Sequence, residues 1–228
     1  ISMLPAVALS EFGVDRGFCL RILAMILAMG ISIFAWKILE HHKFSLQRKI
    51  LLTIYLPLGT WIWTNLSLQG SWQLALGFAV LGELGAIYYS VYKPNAFWCG
   101  IWFALAFGNR TEVVVTAPIL LLLLWQHERT NFGRLRSLGF FSMFPILLIA
   151  PTLIYNALRF GSPFDFGYAR IPGILEEPWY KNGIFSLSSI PRNFKEMLIT
   201  PWRLIGQFPF IAPTGFGGSI FLYSPYLL

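Results

Sequence analysis

Charge is what this chain has least of. Only 12% of its 228 residues are Asp, Glu, Lys or Arg, while 56% are hydrophobic and 17% aromatic, a balance that cannot clothe an ordinary soluble surface. Histidine is scarcer still, with three residues, too few to assemble a Ser-His-Asp constellation. His41 and His42 adjoin each other without a Cys or carboxylate at ligand spacing, which argues against a metal site there. The two cysteines, Cys19 and Cys99, stand far apart in or beside apolar stretches; with no CxxC and no metal-like spacing, they read as packing residues. Gly215 to Gly218 lacks the flanking strand and helix of a phosphate loop. No basic-apolar-small leader pattern follows Ile1, and no inverted repeat is visible. Ile1 is not an initiator Met and Leu228 falls inside an apolar stretch, so the chain is expected to be part of a longer protein.

What is present is hydrophobic sequence in membrane-sized pieces. The net charge of +7 sits mostly in short loops between apolar segments, where it orients a protein and meets anionic lipid head groups rather than nucleic acid. The composition predicts an all-α fold, a polytopic transmembrane helical bundle of about six to seven membrane segments, two of them short. The predicted spans are Arg21 to Leu39, Ile50 to Leu66, and Trp72 to Tyr92 with its Tyr88, Tyr89, Tyr92 belt. The short helices Ala96 to Gly108 and Glu112 to Gln126 follow, then a basic loop from His127 to Arg136 and a sixth segment from Leu138 to about Leu158. Pro57 and Gly59 are expected to bend the second span. The bundle is thus residues 1–158; residues 159–217 form a long outer-face loop with an interfacial helix, and residues 218–228 start a further span.

Counting Lys and Arg over short loops places that long loop on the periplasmic or luminal side, because Lys43, Arg48, Lys49, Lys93, Arg129, Arg134 and Arg136 then face the cytoplasm. A bacterial inner membrane is the expected location. The interfacial helix is predicted within Asn193 to Phe208, with Phe194, Met197, Leu198, Trp202 and Ile205 on one side and a break or kink at Pro201.

The candidate site begins where Asn109, Arg110 and Glu112 interrupt an apolar run from Ala96 to Trp125. An ionised side chain at bilayer depth costs roughly 2.5–3.5 kcal/mol on insertion scales, so it needs a partner or a task. At 1.5 Å rise per residue, Glu83 and Arg110 lie within about 7 Å of each other along the membrane normal. Arg110 is therefore expected to pair with Glu83 or with Glu112, lining a cavity open to the outside; a packing salt bridge with no substrate role is the alternative. Arg159 leaves the membrane at the head-group level within NALRFGSPFDFGY (residues 156–168), and a guanidinium fork there suits a lipid phosphate. Asp165 sits in the same stretch, flanked by aromatics. The sequons at Asn65 and Asn109 lie too tightly against the membrane to serve as acceptors.

The run GIWFALAFGNRTEVVVTAPILLLLL, followed by YNALRFGSPFDFGY and then GGSIFLYSPYLL, resembles the middle of bacterial multi-spanning glycosyltransferases of the GT-C superfamily. These include the relatives of dolichyl-phosphate-mannose protein mannosyltransferases and of the lipid A aminoarabinose transferase. The resemblance spans roughly Pro5 to Leu228. It implies a polyprenyl-phosphate-sugar donor, an outer-face active site, inverting transfer and, in the full-length parent, a divalent cation. Arg110 matches the Arg of the family's hinge, whereas Asn109 and Glu112 depart from its pattern; Arg159, Gly161, Ser162 and Pro163 match the turn. The donor-binding residues so implied are Arg110 and Arg159, with Glu112, Glu83 and Asp165 beside them. No catalytic residue falls in this chain, because the family's carboxylate lies in the first outer loop and would precede Ile1. Two other readings stand beside this one: a non-catalytic membrane subunit of the same fold packing with protein subunits of a larger complex, and a transporter, for which the broken helix pair speaks.

Overall fold

A computed structural model describes residues 4–68, 70–167, 170–177, 180, 183, 186–208, 210–212 and 218–223. The chain is mostly helical, with ten α-helices and one short antiparallel hairpin among these residues. They fall into two compact units, Ile1–Leu153 and Ile154–Leu228.

In the first unit a short helix, α1 (Leu4–Glu11), precedes the 25-residue α2 (Arg16–Glu40). Asp15 starts α2 by accepting the Phe18 N–H at 2.6 Å. Ala24, Leu27, Ile31 and Phe34 form its buried stripe, at helical spacing. Met25, Ile26, Met29 and Ile33 are just as apolar and yet more than half exposed. A helix that is apolar on every side suits a lipid surrounding rather than water. Among the described residues three helical runs are long and apolar enough to cross a membrane: Arg16–Glu40, Trp72–Tyr92 and Asn131–Phe160. They contain the first, third and sixth predicted spans.

The second predicted span is corrected. Ile50 to Leu66 is not one helix but parts of two, α3 (Leu46–Leu58) and α4 (Trp61–Leu68). Pro57 offers no N–H to the chain behind it. The Gly59 N–H then closes α3 on the Tyr55 carbonyl at 2.7 Å. Finally the Thr60 hydroxyl donates to the Leu56 carbonyl at 2.6 Å and accepts the Ile62 N–H at 3.3 Å, ending one helix and starting the next.

After α5 (Ser71–Ile87) the chain makes a π turn, Tyr88–Tyr92, before Asn95 caps α6 (Ala96–Asn109) by accepting the Trp98 N–H at 3.1 Å. Glycine sets the closeness of α5 to α6, as small residues do between membrane helices. A Cβ on Gly82 would lie 2.6 Å from both the Ala106 nitrogen and the Trp102 carbonyl oxygen, and one on Gly85 would strike the Trp102 ring. Beyond a 3₁₀ turn (Thr111–Thr116) come α7 (Ala117–Gln126) and α8 (Asn131–Phe160). The predicted basic loop therefore shrinks to residues 127–130. Arg134 and Arg136 stand in the first turns of α8, where the Thr130 hydroxyl oxygen accepts the Gly133 N–H at 3.0 Å. Inside α8, Pro145 leaves the Phe141 carbonyl without its usual donor, and that oxygen faces Gly100, where a Cβ would approach it to 2.5 Å. Phe141 completes a cluster with Ala86, Cys99, Phe103, Leu120 and Leu124. Cys19 and Cys99 are both buried free thiols, the latter donating to the Ala86 carbonyl at 3.4 Å.

In the second unit the end of α8 turns at Gly161, whose φ of +79° is one a side chain would resist. Buried Asn156 holds the turn by donating to the Pro163 carbonyl at 3.2 Å. The predicted helix within Asn193 to Phe208 is corrected to α9 (Ile190–Ile199). It stops because Thr200, ahead of Pro201, is pushed to an extended backbone with ψ 118°. Trp202 and Ile205 therefore do not share its face. Instead β1 (Arg203–Leu204) pairs antiparallel with β2 (Ile211–Ala212), Arg203 opposite Ala212. Phe194 and Met197 leave an exposed apolar side on α9, and the Leu198 carbonyl accepts the Ser219 hydroxyl at 2.8 Å beside α10 (Ile220–Tyr223). Residues 213–217, with most of the Gly215 to Gly218 stretch, lie outside the described residues, as do Tyr168, Pro178 and positions 224–228 of the further predicted span.

Candidate functional site

The polar interruption is a helix break, as expected. Arg110 has an extended backbone (φ −143°, ψ 100°) between the last turn of α6 and the 3₁₀ turn. A run of β-branched residues, Val113 to Thr116, disfavours a regular helix at this point, and Pro118 suits the first turn of α7. The Arg110 side chain is only 12% exposed. Its guanidinium lies 4.2 Å from the centre of the Trp72 ring, a cation–π contact, and its Nη1 lies 3.3 Å from Glu112 Oε1. Among the described residues its buried Nε–H has no hydrogen-bond partner, and neither has the buried Oδ1 of Asn109, the preceding residue, whose Nδ2 donates to the Leu105 carbonyl at 2.9 Å. A buried donor and a buried acceptor left unmade on successive residues are costly, on the order of 1–3 kcal/mol each. Natural structures retain such groups where a ligand, water or function answers them.

Of the two partners expected for Arg110, Glu112 is the one found. Its carboxylate is 69% exposed, so the pair holds one buried and one solvated charge. Glu83 is corrected: it accepts the Thr116 hydroxyl at 2.9 Å, shared with the Val113 carbonyl at 2.8 Å. No ion pair joins it to Arg110 among the described residues. Glu83 thus tethers the 3₁₀ turn to α5 and positions Arg110 at one remove.

Arg159 and Asp165 belong to the second unit. Exposed Arg159 stacks on Tyr155 and Phe160, at 5.6 and 5.1 Å from their ring centres, and donates to the Tyr155 hydroxyl. Asp165 accepts the Gly167 N–H at 2.7 Å and pairs with Arg170 at 3.0 Å, while Arg170 Nη2 also donates to the Phe160 carbonyl at 2.7 Å. Asp165 is therefore a turn-forming residue. Chiefly the Gly167 N–H, then the Arg170 guanidinium, hold its carboxyl below the usual carboxylate range. A depressed folded-state pKa means that this contribution is complete above the unfolded Asp value of about 3.9 and is lost as the pH falls through the lower folded value. A carboxyl-carbon NMR titration should place the Asp165 midpoint below about 3.9, with Arg170→Gln moving it partway up. A midpoint at or above the ordinary value would contradict the turn.

Three residues that complete these arrangements went unforeseen. Trp72 and Thr116 are remote in sequence from the groups they hold, and only the position of Trp72 at a span's start hinted at a role. Arg170 carried no local signal beyond its charge. Among the described residues no three His, Cys, Asp or Glu side chains come together as a metal-ligand set. Comparison with protein-family models, with curated proteins and with solved structures finds no match to this chain.

Proposed function

We propose that the chain is part of an integral membrane glycosyltransferase of GT-C type, with six to seven membrane segments in a bacterial inner membrane and residues 159–217 on the periplasmic side. In this reading it takes a sugar from a polyprenyl-phosphate donor and passes it to an outer-face acceptor with inversion. The observation that carries the reading is the Arg110 guanidinium: a fixed positive charge at a break between two apolar helices, stacked on Trp72, with its buried Nε–H unpartnered among the described residues. As the anomeric C–O bond breaks, its electron pair passes to the leaving phosphate. A charge-assisted donor held there in low dielectric favours that developing charge. Arg159 supplies a second guanidinium suited to head-group phosphate. The base that accepts the acceptor's proton is not among the residues assigned.

A non-catalytic subunit of the same fold is the second reading. One observation favours it: each candidate carboxylate is engaged within its own unit, Glu83 by Thr116, Glu112 by Arg110 and Asp165 by Arg170. The test is direct. Membranes carrying the full-length protein are incubated with radiolabelled polyprenyl-phosphate sugars, and label should move to an acceptor. Absence of transfer from every common donor would refute the enzyme and leave the subunit.

A further inference from the structure

A polar cavity of the first unit lies away from Arg110, between the start of α6 and the start of α8. Its volume is about 660 Å³, within the range of small-molecule sites. Asn95, Phe97, Glu128, Phe132, Arg136 and Phe140 line it. Two of these carry opposite charge and do not pair: no ion pair joins Glu128 to Arg136 among the described residues. Each is held by something else. Glu128 Oε1 accepts the buried Ser137 hydroxyl at 2.9 Å, and its other oxygen occupies the space a Cβ on Gly133 would take, 2.3 Å away. The Arg136 guanidinium lies 5.4 Å from the centre of the Phe140 ring. Asn95 uses its Oδ1 to cap α6, which leaves its Nδ2 donors for the cavity. The lining thus combines a carboxylate, a guanidinium and three phenylalanine rings.

A simple anion would meet the Glu128 carboxylate, and a simple cation would meet the Arg136 guanidinium, since both line the cavity. A ligand with both signs, a short distance apart and joined to an apolar body, answers all of it. We infer that this cavity binds the head group of a phospholipid bearing a primary ammonium, a phosphoethanolamine head, with the phosphate on Arg136 and the ammonium on Glu128. Guanidinium offers a fork of donors to phosphate oxygens. A carboxylate with one oxygen uncommitted favours an N–H-bearing ammonium over a quaternary one, which has no donor to give. Phe97, Phe132 and Phe140 would lie against the glycerol and first methylenes. The positive-inside count puts this end at the cytoplasmic leaflet. The inference rests on the chain lying in a membrane but not on sugar transfer, and its test needs no donor.

The full-length protein, purified in detergent, is offered equal amounts of phosphatidylethanolamine, phosphatidylcholine and phosphatidylglycerol with the same acyl chains, and retained lipid is read by native mass spectrometry. Phosphatidylethanolamine should dominate. Glu128→Gln, which keeps an acceptor for Ser137, should lower the preference for ethanolamine over glycerol head groups by about tenfold, the worth of one hydrogen bond to a charged group. Arg136→Gln should weaken all three lipids alike. Free O-phosphoethanolamine at the same concentration should displace nothing. Equal retention of the three lipids, an unchanged preference in Glu128→Gln protein that melts like the wild type, or displacement by the free head group would each overturn the assignment.

Discussion

Arg110→Met is expected to lower sugar transfer by about 10²–10³-fold, the usual loss when one preorganised donor to a developing negative charge is removed. The same substitution should leave stability nearly unchanged, and this pairing of outcomes is what separates function from architecture. Methionine keeps an unbranched body against Trp72, so packing survives, although the cation–π contact, worth up to about 2 kcal/mol when desolvated, is lost. Against that, removing a buried Nε–H that has no partner relieves a cost of about 1–3 kcal/mol. The exposed Glu112 contributes little either way, since a pair with one solvated member is worth at most about 1 kcal/mol. Thermal unfolding in detergent and the transfer assay, run on the same preparation, read both quantities. A variant that melts far below the wild type would make Arg110 a packing residue. One that transfers at full rate would remove it from the chemistry.

Gly82→Ala is expected to destabilise the first unit by about 1–3 kcal/mol, the ordinary cost of forcing atoms into a filled contact. The added carbon would meet the backbone of α6 at two points, the Ala106 nitrogen and the Trp102 oxygen, so no rotamer change can absorb it and α6 must move. Gly85→Ala meets the Trp102 side chain, two ring carbons at 2.5 Å and the Cβ at 2.9 Å, with no backbone atom among its nearest contacts, and should cost less than Gly82→Ala. Because Asn109 and Arg110 ride on the end of α6, the Gly82 variant should lose transfer along with stability, unlike Arg110→Met. Chemical or thermal denaturation in detergent distinguishes the two glycines. Equal midpoints for wild type and Gly82→Ala would show that α5 and α6 are not locked together at this point.

Much of the backbone was legible because breaks announce themselves in one stretch of sequence. Asn109, Arg110 and Thr111 are adjacent, so the interruption there could be read without knowing what surrounds it, whereas Pro57 and Gly59 announced only a bend where the chain ends one helix and starts another. What misled was charge. Arg134 and Arg136 looked like loop residues, yet arginine forms helix well, and the Thr130 cap starts α8 ahead of them. Likewise the apolar spacing of Trp202 and Ile205 fitted a continued α9, while the restriction that Pro201 places on Thr200 ended it. Side-chain partners were the least legible. Glu83 and Arg110 were matched by depth, but depth carries no information about azimuth. The Thr116 hydroxyl reached Glu83 first, and Glu112 took the guanidinium.

The contact between Gly100 and the Phe141 carbonyl bears on how α6 and α8 can move. Pro145 strips that oxygen of its N–H donor, and the bare Cα of Gly100 is what meets it. A methyl group at position 100 would also crowd the Phe141 Cα at 2.9 Å and the Phe140 carbonyl oxygen at 3.0 Å. Any side chain there would therefore wedge α6 away from α8, whether or not Pro145 is kept.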